Sequence, residues 1–351
     1  QNKWKQSGTQ GSAMTPLNSI ILTLYLIFSA ITELKSSEDG IEKYTFSQAC
    51  MGTMFKIVVY SPYSYSDTAT IIEQAYDLAE EMNNIFSDYM ADSEVGEFNR
   101  CEPNEPQRAS SHLIDLLKSS KKISLRTQGN FDPTCGSLSR LWRLSRRTNK
   151  LPSPKKLEAA KAACGFSNLK IENSSALITK LNPDTRLDFG GIAKGYTADK
   201  MLELLKNKGL SSSSISAGGD IVLGDPPPGK DGWRVQIIPY RNKNRKPTTI
   251  KISNAAVSTS GNTEQAITIN GQRYSHILNP ISGLGLIHEN AATVIAPSGT
   301  YSDPLATALC IMGKRAIEII NESSHTEAIL FLKKDQITKQ ISSAEFTKFV
   351  E

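Results

Sequence analysis

The sequence predicts an α+β fold, a single mixed α/β domain that follows an apolar N-terminal segment. Three observations lead there. Stretches of helical and strand period mix along the chain without strict alternation, which argues against a doubly wound parallel sheet. No internal repeat interrupts the pattern. The 351 residues are 39% hydrophobic and 21% charged, ordinary globular composition with material for a sizeable core.

The elements follow in order. Leu17 to Ile31, LNSIILTLYLIFSAI, is a near-continuous apolar run behind Lys3 and Lys5, with small residues near its end. At about 15 residues it is short for a membrane span and suits a signal-peptide core; an uncleaved anchor is the alternative. Residues 1–35 are therefore read as signal peptide or anchor, 36–44 as a polar linker and 45–351 as the folded domain. The expected destination is export, to the periplasm or to the periplasmic face of the inner membrane. No lipid-attachment cysteine follows the run.

Met51 to Pro62 alternates and reads as a strand, and Asp67 to Phe86 has helical period. A loop with a short helix follows, capped by Asp92 or Ser93, then helices over His112 to Thr127 and Pro154 to Cys164. Ala176 to Leu181 is a strand, and a helix over about Lys194 to Lys208 ends at Gly209. Strands then come at Ser214 to Gly224, Trp233 to Tyr240, Thr248 to Ile252 and Ala255 to Gly261. A hairpin turns at Asn270-Gly271, another strand covers Ala291 to Pro297, a helix starts at Asp303, and a late strand covers Ala328 to Leu332.

The totals exclude some classes. A net charge of +5 is mild for this length and does not suggest a nucleic-acid binder. The one basic cluster, Arg140, Arg143, Arg146, Arg147 and Lys150, reads as a solvated helix face and loop. Five widely spaced cysteines without a CxxC argue against a zinc site or a disulfide framework; Cys135 and Cys310 read as core thiols.

Four stretches could carry chemistry. LDFGGIAKGYTAD (Leu187 to Asp199) puts an acid, bare glycine backbone and Lys194 at a strand-to-helix junction, which suits an anion, or else makes only a tight turn with a solvated lysine. Asp303 and Thr307, at i and i+4, put two hard oxygens on one helical face, suited to Mg²⁺ or merely capping and packing. His276 lies on an apolar strand after the hairpin, where it is a base or a structural histidine. Val257 to Gly261 offers small hydroxyls for a phosphate or for the backbone, without a GxSxG elbow.

Together these stretches resemble the FAD:protein FMN transferase family, the ApbE-type flavin transferases. The pieces fall in family order: MGT at Met51, FSDYMADSEVGEFNR at Phe86, FDPTCG at Phe131, LDFGGIAKGYTAD at Leu187, SAGGDIVLG at Ser216, AVSTSG at Ala256, RYSHILNPISG at Arg273 and VIAPSGTYSDPLATAL at Val294. They span roughly residues 45 to 335.

The resemblance implies Mg²⁺-dependent transfer of FMN from FAD to a Thr or Ser hydroxyl of an acceptor protein, with AMP released. It also admits FAD hydrolysis to FMN and AMP, or a non-enzymatic FAD carrier. It implies an exported acceptor such as a subunit of a respiratory electron-transport complex. By motif, Asp303 and Thr307 resemble the metal ligands, completed by a carbonyl at Gly191. Asp188 and Lys194 resemble FAD contacts. Met51, Tyr89, Asn130, Phe131 and Asp132 resemble the wall of the flavin nucleotide pocket. Ser260 falls where a phosphate oxygen is held and Ala291 where another FAD contact lies. His276 resembles the residue that takes the acceptor's proton. Two departures stand out: Pro304 follows Asp303 where a small helix former is expected, and Cys50 precedes Met51.

Overall fold

The computed structural model describes residues 40–351 apart from 173, 239–246, 262–265 and 335–336. The N-terminal apolar run and the end of the strand expected to reach Tyr240 lie outside the described residues.

The frame is an eight-stranded antiparallel sheet. Its strands are β1 (Glu42–Cys50), β2 (Thr53–Ser61), β3 (Ser213–Ala217), β4 (Asp220–Leu223), β5 (Ala255–Gly261), β6 (Glu289–Ala296), β7 (Glu327–Lys334) and β8 (Ile337–Ser342). Across the sheet they lie in that same order. The sheet is thus a meander, and the helices and small sheets are insertions in its connections. β1 begins at Glu42, inside the stretch read as linker. It turns into β2 at Met51 and Gly52, which both take positive φ (49° and 71°), as a two-residue hairpin turn requires. The second expected hairpin forms at Asn270 and Gly271, again with both φ positive.

The helices are α1 (Tyr65–Phe86), α2 (Glu94–Phe98), α3 (Ser111–Arg126), α4 (Gly136–Thr148), α5 (Pro154–Ala162), α6 (Ala193–Asn207), α7 (Gly299–Met312) and α8 (Ala316–Asn321). Helices α1, α3, α6 and α7 cover one face of the sheet. The other face is covered over β4 to β7 by a hairpin of Trp233–Ile237 with Thr248–Ile252. Side chains of the middle strands alternate between these layers. In β6, Ala292, Val294 and Ala296 face the helices, while Ala291 and Ile295 face the hairpin. Burial on both faces is why AATVIA reads as a continuous apolar run.

Some expectations are narrowed and others corrected. Ser93, not Asp92, caps α2, its hydroxyl accepting from the Gly96 N–H at 2.9 Å. Helix α7 starts at Gly299 rather than Asp303, so Pro304 sits inside it. There the proline withholds the N–H that would reach the Thr300 carbonyl. His276 lies in a bend between the short strands Gln272–Tyr274 and Leu278–Asn279, not on a strand. Leu177–Lys180 belongs to a separate three-stranded sheet with Gln107–Arg108 and Leu169–Glu172.

Candidate active site

The centre of the site is the crossing of α6 and α7, and glycine makes it possible. A Cβ on Gly195 would stand 2.2 Å from the Gly299 carbonyl oxygen, and one on Gly299 would stand 2.5 Å from that of Gly195. The helices therefore touch backbone to backbone. This contact brings the Gly195 N–H to 3.3 Å from Oδ2 of Asp303. The start of α7 is pinned by Asp199 at the end of the LDFGGIAKGYTAD motif. Its carboxylate accepts from the N–H groups of Gly299 and Thr300 at 2.7 and 2.8 Å, and from the Thr300 hydroxyl at 2.5 Å.

Lys194 lies beside this crossing. Its Nζ is 3.3 Å from Oδ2 of Asp303 and 3.2 Å from Oδ2 of Asp220, the first residue of β4. One ammonium thus faces two carboxylates. Burial disfavours the charge on Lys194, but the Asp220 and Asp303 carboxylates overcome it and raise its pKa. Burial, with the neighbouring Asp220 carboxylate, pushes Asp303 up to about 7, against the pull of Lys194 and the Gly195 N–H. Both contacts of Asp303 fall on Oδ2; Oδ1 has no partner among the described residues. One turn on, the Thr307 hydroxyl is 3.1 Å from the Ser260 hydroxyl of β5. Gly191 adjoins Thr307: a Cβ there would lie 3.7 Å from the Thr307 hydroxyl oxygen.

These groups open into a cavity of about 690 Å³. Of the expected site residues, Asn130, Phe131, Asp132, Asp188, Gly191, Lys194, Ser260, His276, Asp303 and Thr307 line it. The Asn130-Phe131-Asp132 wall is a rigid turn. The Thr127 hydroxyl accepts from the Phe131 N–H at 3.2 Å, and the Asp132 carboxylate accepts from the Thr134 N–H at 2.8 Å and its hydroxyl at 2.7 Å. Burial raises the Asp132 pKa although these bonds oppose it. The Asp188 N–H donates to the Pro133 carbonyl at 2.8 Å, which ties this wall to the glycine motif.

Asp188 also meets Arg143 of α4. The guanidinium donates to Asp188 at 2.8 Å and to Asp88 at 2.5 Å, and lies 4.3 Å from the centre of the Tyr89 ring. Tyr89 is 79% exposed, so its other face is open for stacking. His276 is half-buried, with Nδ1 buried and unpartnered among the described residues. Burial and the nearby Arg146 charge lower its pKa, which keeps the imidazole neutral and able to accept a proton near neutral pH.

Three expected residues stand apart from the cavity lining. Met51 occupies the β1–β2 turn and packs on the core. Tyr89 is attached to the site through Arg143. Ala291 is fully buried on the hairpin side of the sheet; it pairs in register with Gly261, which does line the cavity. Sequence reasoning passed over Asp220, Arg143 and Asp199. Asp220 had a signal, since it directly follows the glycine pair of SAGGD. Arg143 was hidden in a basic run.

A sequence profile of the ApbE family matches residues 51–330. The chain belongs to the ApbE family. Among its relatives, the FAD:protein FMN transferase of Vibrio cholerae serotype O1 is 28% identical over 90% of this chain and 96% of its own. That of Chlamydia muridarum is 26% identical over 85% of this chain and 91% of its own. The solved flavin transferase ApbE from Vibrio cholerae superposes with a TM-score of 0.79 at 27% identity, covering 88% of this chain and 99% of that one. The ApbE protein of Thermotoga maritima gives 0.78 at 27% identity, covering 88% and 100%.

Proposed function

We propose that this chain is an FAD:protein FMN transferase, which moves FMN from FAD to a Thr or Ser hydroxyl of an acceptor protein and releases AMP. The observation that carries the reading is the oxygen set at the α6–α7 crossing. Asp303, Thr307 and the Gly191 backbone meet beside Lys194, on a cavity that also holds a neutral histidine.

The donors fit Mg²⁺. They are hard oxygens, Oδ1 of Asp303 has no hydrogen-bond partner among the described residues, and the second carboxylate at Asp220 leaves Lys194 outnumbered. Asp303, Thr307 and a Gly191 carbonyl would hold the ion, which when bound supplies charge neutralisation at the pyrophosphate. The protein's own groups do the rest. The Ser260 hydroxyl donates to a phosphate oxygen, and Lys194 adds its charge. Tyr89, backed by Arg143, stacks on an aromatic ring of FAD. His276 takes the proton of the acceptor hydroxyl as that oxygen bonds to the FMN phosphorus; the phosphorus–oxygen bond to AMP breaks and AMP leaves with the electron pair.

The apolar N-terminal run and the family's acceptors support an exported site of action. The acceptor class we infer is the soluble, Thr-bearing domain of a respiratory electron-transport subunit. The test is to incubate the chain with FAD, Mg²⁺ and such a domain, and to read intact mass and AMP together. A gain of one FMN on the acceptor, lost in EDTA and in Asp303→Ala, is the expected result. AMP without a mass gain would assign FAD hydrolysis instead. FAD bound and unchanged would leave a carrier.

A further inference from the structure

Arg140, Arg143 and Arg147 of α4, at i, i+3 and i+7, line one groove together. Arg143 turns to Asp88 and Asp188 and is neutralised there. Arg140 and Arg147 stand with Lys156 of α5 around a groove of about 710 Å³ between the two helices. Leu141, Leu144, Ala159 and Ala160 are its apolar lining. A second hollow of about 480 Å³ shares Leu141, Leu144 and Lys156 with it and runs on past Lys150 and Leu151.

Two features separate this groove from an ordinary solvated face. Its cations are unbalanced: Arg140, Arg147, Lys150 and Lys156 make no ion pair among the described residues, and Asp184 is the one acid that lines the groove. Arg140 also lies near Arg186, whose pKa is lowered by burial and then by the Arg140 charge. Like charges held together over exposed leucine (Leu144 is 41% and Leu151 37% exposed) are a surface suited to an acidic, amphipathic partner. Its position matters too. Cys135 and Ser139, at the start of the same helix, line the FAD cavity. A helix is about 10 Å across, so a segment in the groove lies about three extended residues from the cavity.

We propose that the α4–α5 groove docks an acidic, leucine-bearing segment of the acceptor protein, holding it outside the cavity while the target hydroxyl enters. The proposal rests on the transferase reading and names the partner surface that reading needs. The groove binds the partner and performs no chemistry, so it sets the KM for the acceptor and leaves FAD affinity and kcat alone.

The test uses a fluorescein-labelled peptide in which Glu pairs alternate with Leu pairs, titrated into the full chain and followed by anisotropy. Binding that weakens with salt is expected. Affinity should fall at least about tenfold in Arg140→Glu/Arg147→Glu/Lys156→Glu and survive in Arg140→Lys/Arg147→Lys. The peptide should raise the KM for the acceptor domain at constant kcat. FAD affinity, unchanged in both variants, verifies that they are folded. Equal peptide affinity in the Glu variant, no peptide binding at all, or an unchanged acceptor KM would each overturn the proposal. Phosphatidylglycerol vesicles that retain the wild-type chain but not the Glu variant, with the peptide unbound, would overturn it in favour of a membrane surface. Failure of the functional reading is read separately, as absence of AMP release from FAD by the wild-type chain.

Discussion

Replacing Gly195 by Ala sets two physical effects against each other, and the structure decides the sign. Gly195 lies within the first turn of α6. Intrinsic helix propensity alone would make alanine more stable by about 1 kcal/mol. The added Cβ, however, would stand 2.2 Å from the Gly299 carbonyl oxygen, 2.5 Å from its carbon and 3.0 Å from Cβ of Asp303. Relief requires the first distance to open to at least 3.4 Å, the lower edge of ordinary contact, and both atoms of Gly299 are backbone. Overpacking of this kind costs about 1–3 kcal/mol, and a backbone contact this short falls at the upper end, so the net effect is a loss of about 2 kcal/mol. The hydrogen bond from Gly195 to Asp303 starts at 3.3 Å and does not survive a shift of that size. Displacing Asp303 by about 1 Å should lower AMP release by about 10²-fold. Urea unfolding and an AMP assay measure the two effects. A matched control is Gly191→Ala, whose Cβ would meet Phe131 at 3.6 Å and Thr307 at 3.7 Å, ordinary contacts. That variant should keep wild-type stability. If Gly195→Ala unfolds at or above the wild-type urea midpoint, the backbone-to-backbone account of the crossing is wrong.

Three further outcomes follow from the same site. In EDTA, Asp303 titrates at about 7 when folded, against roughly 3.9 when unfolded. The unfolded chain therefore ionises first, and stability falls as pH rises from about 4 to about 7, by at most about 4 kcal/mol. Asp303→Asn should flatten that slope and be more stable than wild type at alkaline pH, while losing transfer; urea midpoints on both sides of the window check it. The lowered pKa of His276 places the acid limb of kcat/KM below the ordinary histidine value of about 6.5. The unfolded chain binds that proton first, so this group's cost to stability appears as pH drops through about 6.5 and is complete below the folded pKa. His276→Ala should remove transfer but not FAD binding, and Arg146→Gln should move the acid limb upward; pH–rate profiles decide both. Asp199→Ala removes the acceptor for three donors at the start of α7 and should cost about 1–2 kcal/mol in urea unfolding.

What the sequence made legible, and what it hid, divides along a physical line. Features whose signal is local were readable. The Asn270-Gly271 turn announces positive φ by residue type, α6 begins just past the Gly190-Gly191 pair, and Asp303 and Thr307 share a face by spacing alone. Strand β1 was not readable, because Tyr44 and Phe46 are its clear inward signals and charged Glu42 and Lys43 precede them. Nor was the start of α7. Gly299 is a poor helix former, and the acid that caps it comes from Asp199, 100 residues earlier.

The electrostatics of the site were hidden for the same reason. Lys194 reads as a solvated lysine until Asp303, 109 residues away, and Asp220 are brought against it by the α6–α7 crossing and the turn into β4. Arg143 reads as one cation of a basic face until Asp88 and Asp188 arrive from 55 and 45 residues upstream and downstream. In each case residue type gave the charge, and only the meander with its inserted helices gave the partner. The partner then fixes the role. Arg143 is neutralised and orients Tyr89 and Asp188, whereas Arg140 and Arg147, one turn away on either side, make no ion pair among the described residues and remain able to attract an acid. One face of one helix thus carries a neutralised cation between two without an ion pair, and the difference depends on which carboxylates the fold delivers to each.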